Sequence, residues 1–129
     1  MESLLEIVLS PDAPQPIGPY SQAVKSRDLL FCSGQIAIDP KSGEMVQSSI
    51  EEETKQVMKN LRAVLAASGA TFANVAKTTI FLTNMADFAD VNRIYEIGLG
   101  TSRPARSTVQ VAALPKGARV EIECVASLV

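Results

Sequence analysis

The chain contains no histidine and no tryptophan, and aromatic residues make up only 5% of its 129 positions. Without histidine there is no Ser-His-Asp triad, no Cys-His pair and no imidazole-held metal. Chemistry must run on carboxylates, hydroxyls, backbone amides and guanidinium groups. Two cysteines, Cys32 and Cys124, are too few for a disulfide scaffold, and their apolar, strand-like surroundings read as two reduced, buried thiols. No apolar run approaches the ~18 residues that span a bilayer. Acids at Glu2 and Glu6, with no basic segment before an apolar run, speak against a signal peptide. Twelve Lys and Arg against fourteen Asp and Glu leave a net charge of −2, without the basic excess of a nucleic-acid binder. The expectation is one domain over residues 1–129 in the cytoplasm, with no membrane, nucleic-acid, metal or cofactor partner.

What is present is a regular alternation of strand and helix signals. Four prolines between residues 10 and 19 remove amide donors and favour extended backbone, so that stretch reads as an ordered loop. Strands are expected at 22–25 and 29–38, joined by the Ser26-Arg27-Asp28 turn, with a second turn at 39–43. Ile50, Val57, Met58, Leu61, Val64 and Leu65 form a stripe of period 3.6, which predicts a helix over 49–68. Ser49 and Glu52 suit a capping box at its start, and Gly69 suits a stop. A strand follows at 75–82, a helix at 86–98, and strands at 107–112 and 119–128. Phe88, Asn92, Tyr95 and Leu99 share one face of that second helix. The order ββ-α-β-α-ββ implies an α+β fold in which both helices cover one face of a mixed sheet. The other face also carries apolar residues, so an oligomer that buries it is expected.

Several residues carry possible chemistry, and each also has a plain structural reading. Arg106, stiffened by Pro104, reads either as a fork for a substrate carboxylate or as half of a surface or interface ion pair with Asp or Glu. Glu121 and Glu123 alternate with apolar residues on the last strand, and suit either an exposed polar face or a carboxylate that activates water. Burial would raise the Glu121 pKa and a neighbouring Arg106 would lower it. Gly34, between Ser33 and Gln35, marks a bulge or a close approach to a ligand. Tyr20 offers a ring wall and a hydroxyl, or packs at a junction. Asn92 is a polar handle for a ligand or the cap of a neighbouring loop.

In combination these segments are more specific. Ile17-Gly18-Pro19-Tyr20-Ser21-Gln22-Ala23-Val24, Ser33-Gly34-Gln35-Ile36, the run from Phe81 to Asn92, Pro104-Ala105-Arg106-Ser107 and Val120-Glu121-Ile122-Glu123 together resemble the reactive-intermediate deaminase (Rid/YjgF) family along essentially the whole chain. The resemblance implies a chorismate-mutase-like fold with a ferredoxin-like βαβ arrangement. It also implies a homotrimer whose sheets form a central barrel, and clefts at the subunit interfaces. The implied activity is hydrolysis of enamines and imines such as 2-aminoacrylate or 2-iminopropanoate to 2-keto acids and ammonia. By position, Arg106 would hold the substrate carboxylate and Glu121 would activate water. Tyr20, Ser33 and Asn92 would line the pocket, and the Gly34 backbone would lie against the ligand. Relatives often carry Cys where this chain has Thr108, so thiol modification there is excluded. Where relatives have an aromatic pair after Tyr95, this chain has Gly98-Leu99, expected to widen one wall of the cleft, with Arg103 as a second cation nearby. Other readings of the cleft are a regulatory trimer that senses 2-keto acids, a ribonuclease or translation inhibitor, or a purely structural trimer.

Overall fold

The computed structural model describes residues 5–129. Among them are six strands, β1 (Leu5–Val8), β2 (Ala23–Ser26), β3 (Leu29–Gln35), β4 (Val75–Leu82), β5 (Ala105–Gln110) and β6 (Val120–Ser127), and two helices, α1 (Ile50–Ala67) and α2 (Phe88–Leu99). They form one mixed sheet in the order β1-β2-β3-β6-β4-β5. β4 and β5 are parallel neighbours, joined by α2. β3 and β4 flank β6, each antiparallel to it, so α1 joins two near neighbours that run in the same direction, as the βαβ pattern requires.

β1 was not expected from the sequence. It is a four-residue edge strand paired with β2, too short for its alternation to stand out. β3 ends at Gln35 rather than residue 38, because its pairing to β6 shifts register between Cys32 and Gln35. This is the bulge that Gly34 suggested. β5 begins at Ala105, two residues earlier than the alternation indicated.

The core lies between the sheet and the helices. All six residues of the α1 stripe are buried. Ser49 Oγ accepts the Glu52 N–H at 3.0 Å, while the Glu52 carboxylate turns to Lys55 Nζ at 3.2 Å. Only one arm of the expected capping box is therefore used for capping. Beyond α1, Gly69 adopts φ +75°, and the Ala70 N–H returns to Leu65 O, which ends the helix as predicted. Buried Gln22 anchors the proline-rich loop: its Nε2 donates to Pro14 O at 2.8 Å, and its Oε1 accepts from the Ser10 N–H. Cys32 and Cys124 are directly opposed across β3 and β6 as free, buried thiols.

Among the described residues, no helix lies on the second face of the sheet. Phe31 (46% exposed), Leu29 (43%) and Val109 (40%) lie there, together with Glu121 and Glu123, because the alternate residues of β6, Val120, Ile122, Cys124 and Ala126, are buried toward the helices.

Candidate functional site

The sheet register places the expected site residues in two separate groups. Thr78 pairs with Arg106 and is buried on the helix side, where its hydroxyl meets Tyr95 Oη at 2.6 Å. Glu121 pairs with Phe81, three residues further along β4. An odd offset on a strand means opposite faces. Arg106 and Glu121 of one chain are thus on opposite sides of the sheet, two strands (about 10 Å) and three residues (about 10 Å) apart.

The first group belongs to Arg106. Its guanidinium donates through Nη1 to Asn92 Oδ1 at 2.5 Å and lies 5.4 Å from the ring centres of both Phe88 and Tyr95. The shared helix face read from the sequence is therefore the surface that orients this arginine. Among the described residues of this one chain Arg106 has no carboxylate partner, so the structural alternative that remains is an ion pair across an interface. Asn92, Tyr95, Leu99 and Arg106 border a cleft of about 80 Å³. Burial raises the Tyr95 phenol pKa, against the lowering effects of the Thr78 hydrogen bond and the Arg106 charge. The ring consequently stays neutral, and its face is available to the cation. Arg103 borders the same cleft, but its Nη1 is bonded to the carbonyls of Gly100 and Ser102 at 2.9 and 2.7 Å.

The second group belongs to Glu121. Tyr20, Ser33, Gly34 and Glu121 line a cavity of about 300 Å³, with Ile36 and Pro115 among its apolar walls. Ser33 Oγ donates to Ser21 O at 2.6 Å, which leaves its lone pairs free to accept a hydrogen bond from a ligand. The Glu121 carboxylate lies against Gly34, where a β-carbon would overlap it. The glycine thus makes room for a side chain of its own protein, and it also lines the cavity in which the resemblance implies a ligand. Burial, and then the like charge of Glu123, raise the Glu121 pKa above the ordinary carboxylate range. The opposing influence of Arg106 is absent within the chain because the two groups are on opposite faces.

The family model for endoribonuclease L-PSP matches residues 10–128. The human 2-iminobutanoate/2-iminopropanoate deaminase is 50% identical over 127 residues, covering 98% of this chain and 93% of that protein. The chain belongs to the reactive-intermediate deaminase (Rid) family. A solved Rid-family structure from Yersinia pestis, of unknown function, matches with a TM-score of 0.92 at 49% identity, over 95% of this chain and 98% of that one. Escherichia coli TdcF, solved with bound serine, matches with a TM-score of 0.89 at 35% identity over the same shares.

Against this Rid background, the departure at Gly98-Leu99 has a structural explanation. A β-carbon at Gly98 would lie 2.8 Å from Met58 Cε, so Gly98 faces α1 and permits close packing of the two helices. Only Leu99 borders the Arg106 cleft. The Gly98 half of the departure is therefore a helix contact away from the cleft, and the cleft wall is changed only through Leu99. Sequence reasoning also missed Pro115 as a cleft wall and Glu123 as the charge that perturbs Glu121. The alternation of β6 is the signal that could have revealed the latter.

Proposed function

We propose that this protein hydrolyses reactive enamines and imines of small 2-amino acids, such as 2-aminoacrylate and 2-iminopropanoate, to 2-keto acids and ammonia. The observation that carries the reading is Arg106: a guanidinium oriented by Asn92 and two rings, yet left without a carboxylate of its own. A small anion with a planar carboxylate satisfies it through two parallel hydrogen bonds.

The Glu121 cavity supplies the complementary function. The enamine tautomerises to the imine, and water adds at C2 while Glu121 accepts its proton. The resulting carbinolamine then expels ammonia. Protonated imines hydrolyse readily, so about 4–6 kcal/mol from positioning and electrostatics suffices. Since one chain holds Arg106 and Glu121 apart, the working cleft joins the Arg106 group of one subunit to the Glu121 group of another. A homotrimer whose open sheet faces form a central barrel supplies that junction and covers Phe31, Leu29 and Val109. Size-exclusion with light scattering is expected to give three times the 13.8 kDa chain mass, and a monomer at micromolar concentration would overturn the assembly. The reduced thiols suit a cytoplasmic setting.

The test is the lifetime of an imine generated in situ by an amino-acid oxidase and trapped with semicarbazide. Wild type shortens it, and Arg106→Ala does not, while remaining assembled. If wild type leaves the lifetime unchanged but binds a 2-keto acid, the cleft is a sensor. Cleavage of RNA is less well supported, since the chain carries net charge −2 and lacks histidine.

A further inference from the structure

Glu53 lies outside both groups, yet it holds the segment that carries two residues of one of them. It is fully buried in the first turns of α1. Its Oε1 accepts Arg119 Nε at 2.7 Å, and its Oε2 accepts the Arg119 backbone N–H at 2.7 Å. Arg119 Nη2 donates to Gln47 O at 3.2 Å, and Gln47 Nε2 donates to Gly117 O at 2.9 Å. On the far side, Arg119 O accepts the Thr83 N–H at 3.2 Å. The peptide at residue 119 is gripped by α1 on one side and by the end of β4 on the other.

An ion pair whose carboxylate is fully buried while its arginine is partly exposed gains little stability over apolar packing, so its value lies in the geometry it fixes. Here it fixes the start of β6. Strand β3 pairs with β6 at Cys32↔Cys124 and again at Gln35↔Ile122, with the bulge between them, and its pairing ends there. Glu121 therefore has β4 beside it and, among the described residues, no strand paired on its other side. Its carboxylate also lies against Gly34. The Glu53–Arg119 pair takes the place of the missing strand pairing two residues away, and the same cluster reaches Gly117, two residues beyond the cleft wall at Pro115.

We infer that Glu53 is a positioning residue for Glu121, acting through the Arg119 peptide. The inference rests on Glu121 being the water-activating group of the proposed reaction. The measurement compares full-length wild type, Glu53→Ala and Glu53→Gln, each assayed well below its melting temperature. Carbon-13 NMR of the Glu121 carboxyl is recorded alongside imine turnover. For Glu53→Ala, kcat is expected to fall about 10- to 100-fold with KM within about twofold, because Arg106 is untouched. The Glu121 titration midpoint is expected to move down as its carboxylate becomes hydrated. Glu53→Gln keeps an acceptor for the Arg119 N–H and is expected to recover most of kcat. A Glu121 midpoint unchanged in Glu53→Ala overturns the inference whatever activity does, since a loss of kcat alone would then be a loss of stability. If wild type turns over no imine, the proposed reaction fails, while the titration still decides whether Glu53 positions Glu121.

Discussion

The Cα of Gly34 faces the carboxylate of Glu121 with no room for a β-carbon between them. The glycine is outside the left-handed region, so its role is the space it leaves open. Gly34→Ala places a methyl group against the movable end of a side chain, which can swing aside. The fold is expected to lose no more than about 1 kcal/mol, while kcat for imine hydrolysis falls about 10- to 100-fold as the base is misplaced. Thermal melts beside imine-decay rates check both halves, and wild-type turnover in this variant would mean that Glu121 needs no fixed position.

Glu123 acts on Glu121 through charge alone. Both carboxylates project from the open face of β6, and the like charge adds to burial in raising the Glu121 pKa. A base works in its ionised form, so activity falls as pH drops through that pKa. Glu123→Gln removes the like charge, lowers the Glu121 pKa and moves the acid limb of kcat/KM to lower pH. Stability runs the opposite way with pH. A carboxyl whose pKa is raised on folding contributes stability that is present below its unfolded pKa and is lost as pH rises through the folded value. Glu123→Gln diminishes that loss. A pH profile that superposes on wild type would contradict the coupling.

Thr108 Oγ1 is buried and has no hydrogen-bond partner among the described residues. It is two positions from Arg106 on the same face of β5. Thr108→Val replaces the hydroxyl with a methyl of similar shape, which is expected to be neutral or to stabilise the protein by about 1 kcal/mol. Chemical denaturation of the assembled protein measures this, and a destabilisation of that size would mean that the hydroxyl is paired.

Much of the fold was legible because its signals are periodic. The α1 stripe, Ser49, Gly69 and the β6 alternation each express a local preference that the packing reinforces. β1 was missed because four residues at a sheet edge carry too short a pattern. Arg106, Asn92, Phe88 and Tyr95 could be associated from helix spacing and a following turn, and the structure brings them together. The separation of Arg106 from Glu121 could not be read in the same way. It depends on strand register, since Thr78↔Arg106 and Phe81↔Glu121 differ by an odd number of residues, and register is set by long-range pairing. The packing of Gly98 against Met58 could not be read either, because Met58 lies on another helix, a contact that local sequence does not encode.

The central claim is that each active cleft takes Arg106 from one subunit and Glu121 from another. The most direct measurement is complementation between two inactive variants, Arg106→Ala and Glu121→Ala, unfolded together in equal amounts and reassembled. In a cyclic trimer with random mixing, about a quarter of the clefts regain both residues, so imine hydrolysis is expected to return to about a quarter of the wild-type rate. Mixed trimers that remain as inactive as either parent would contradict the shared cleft.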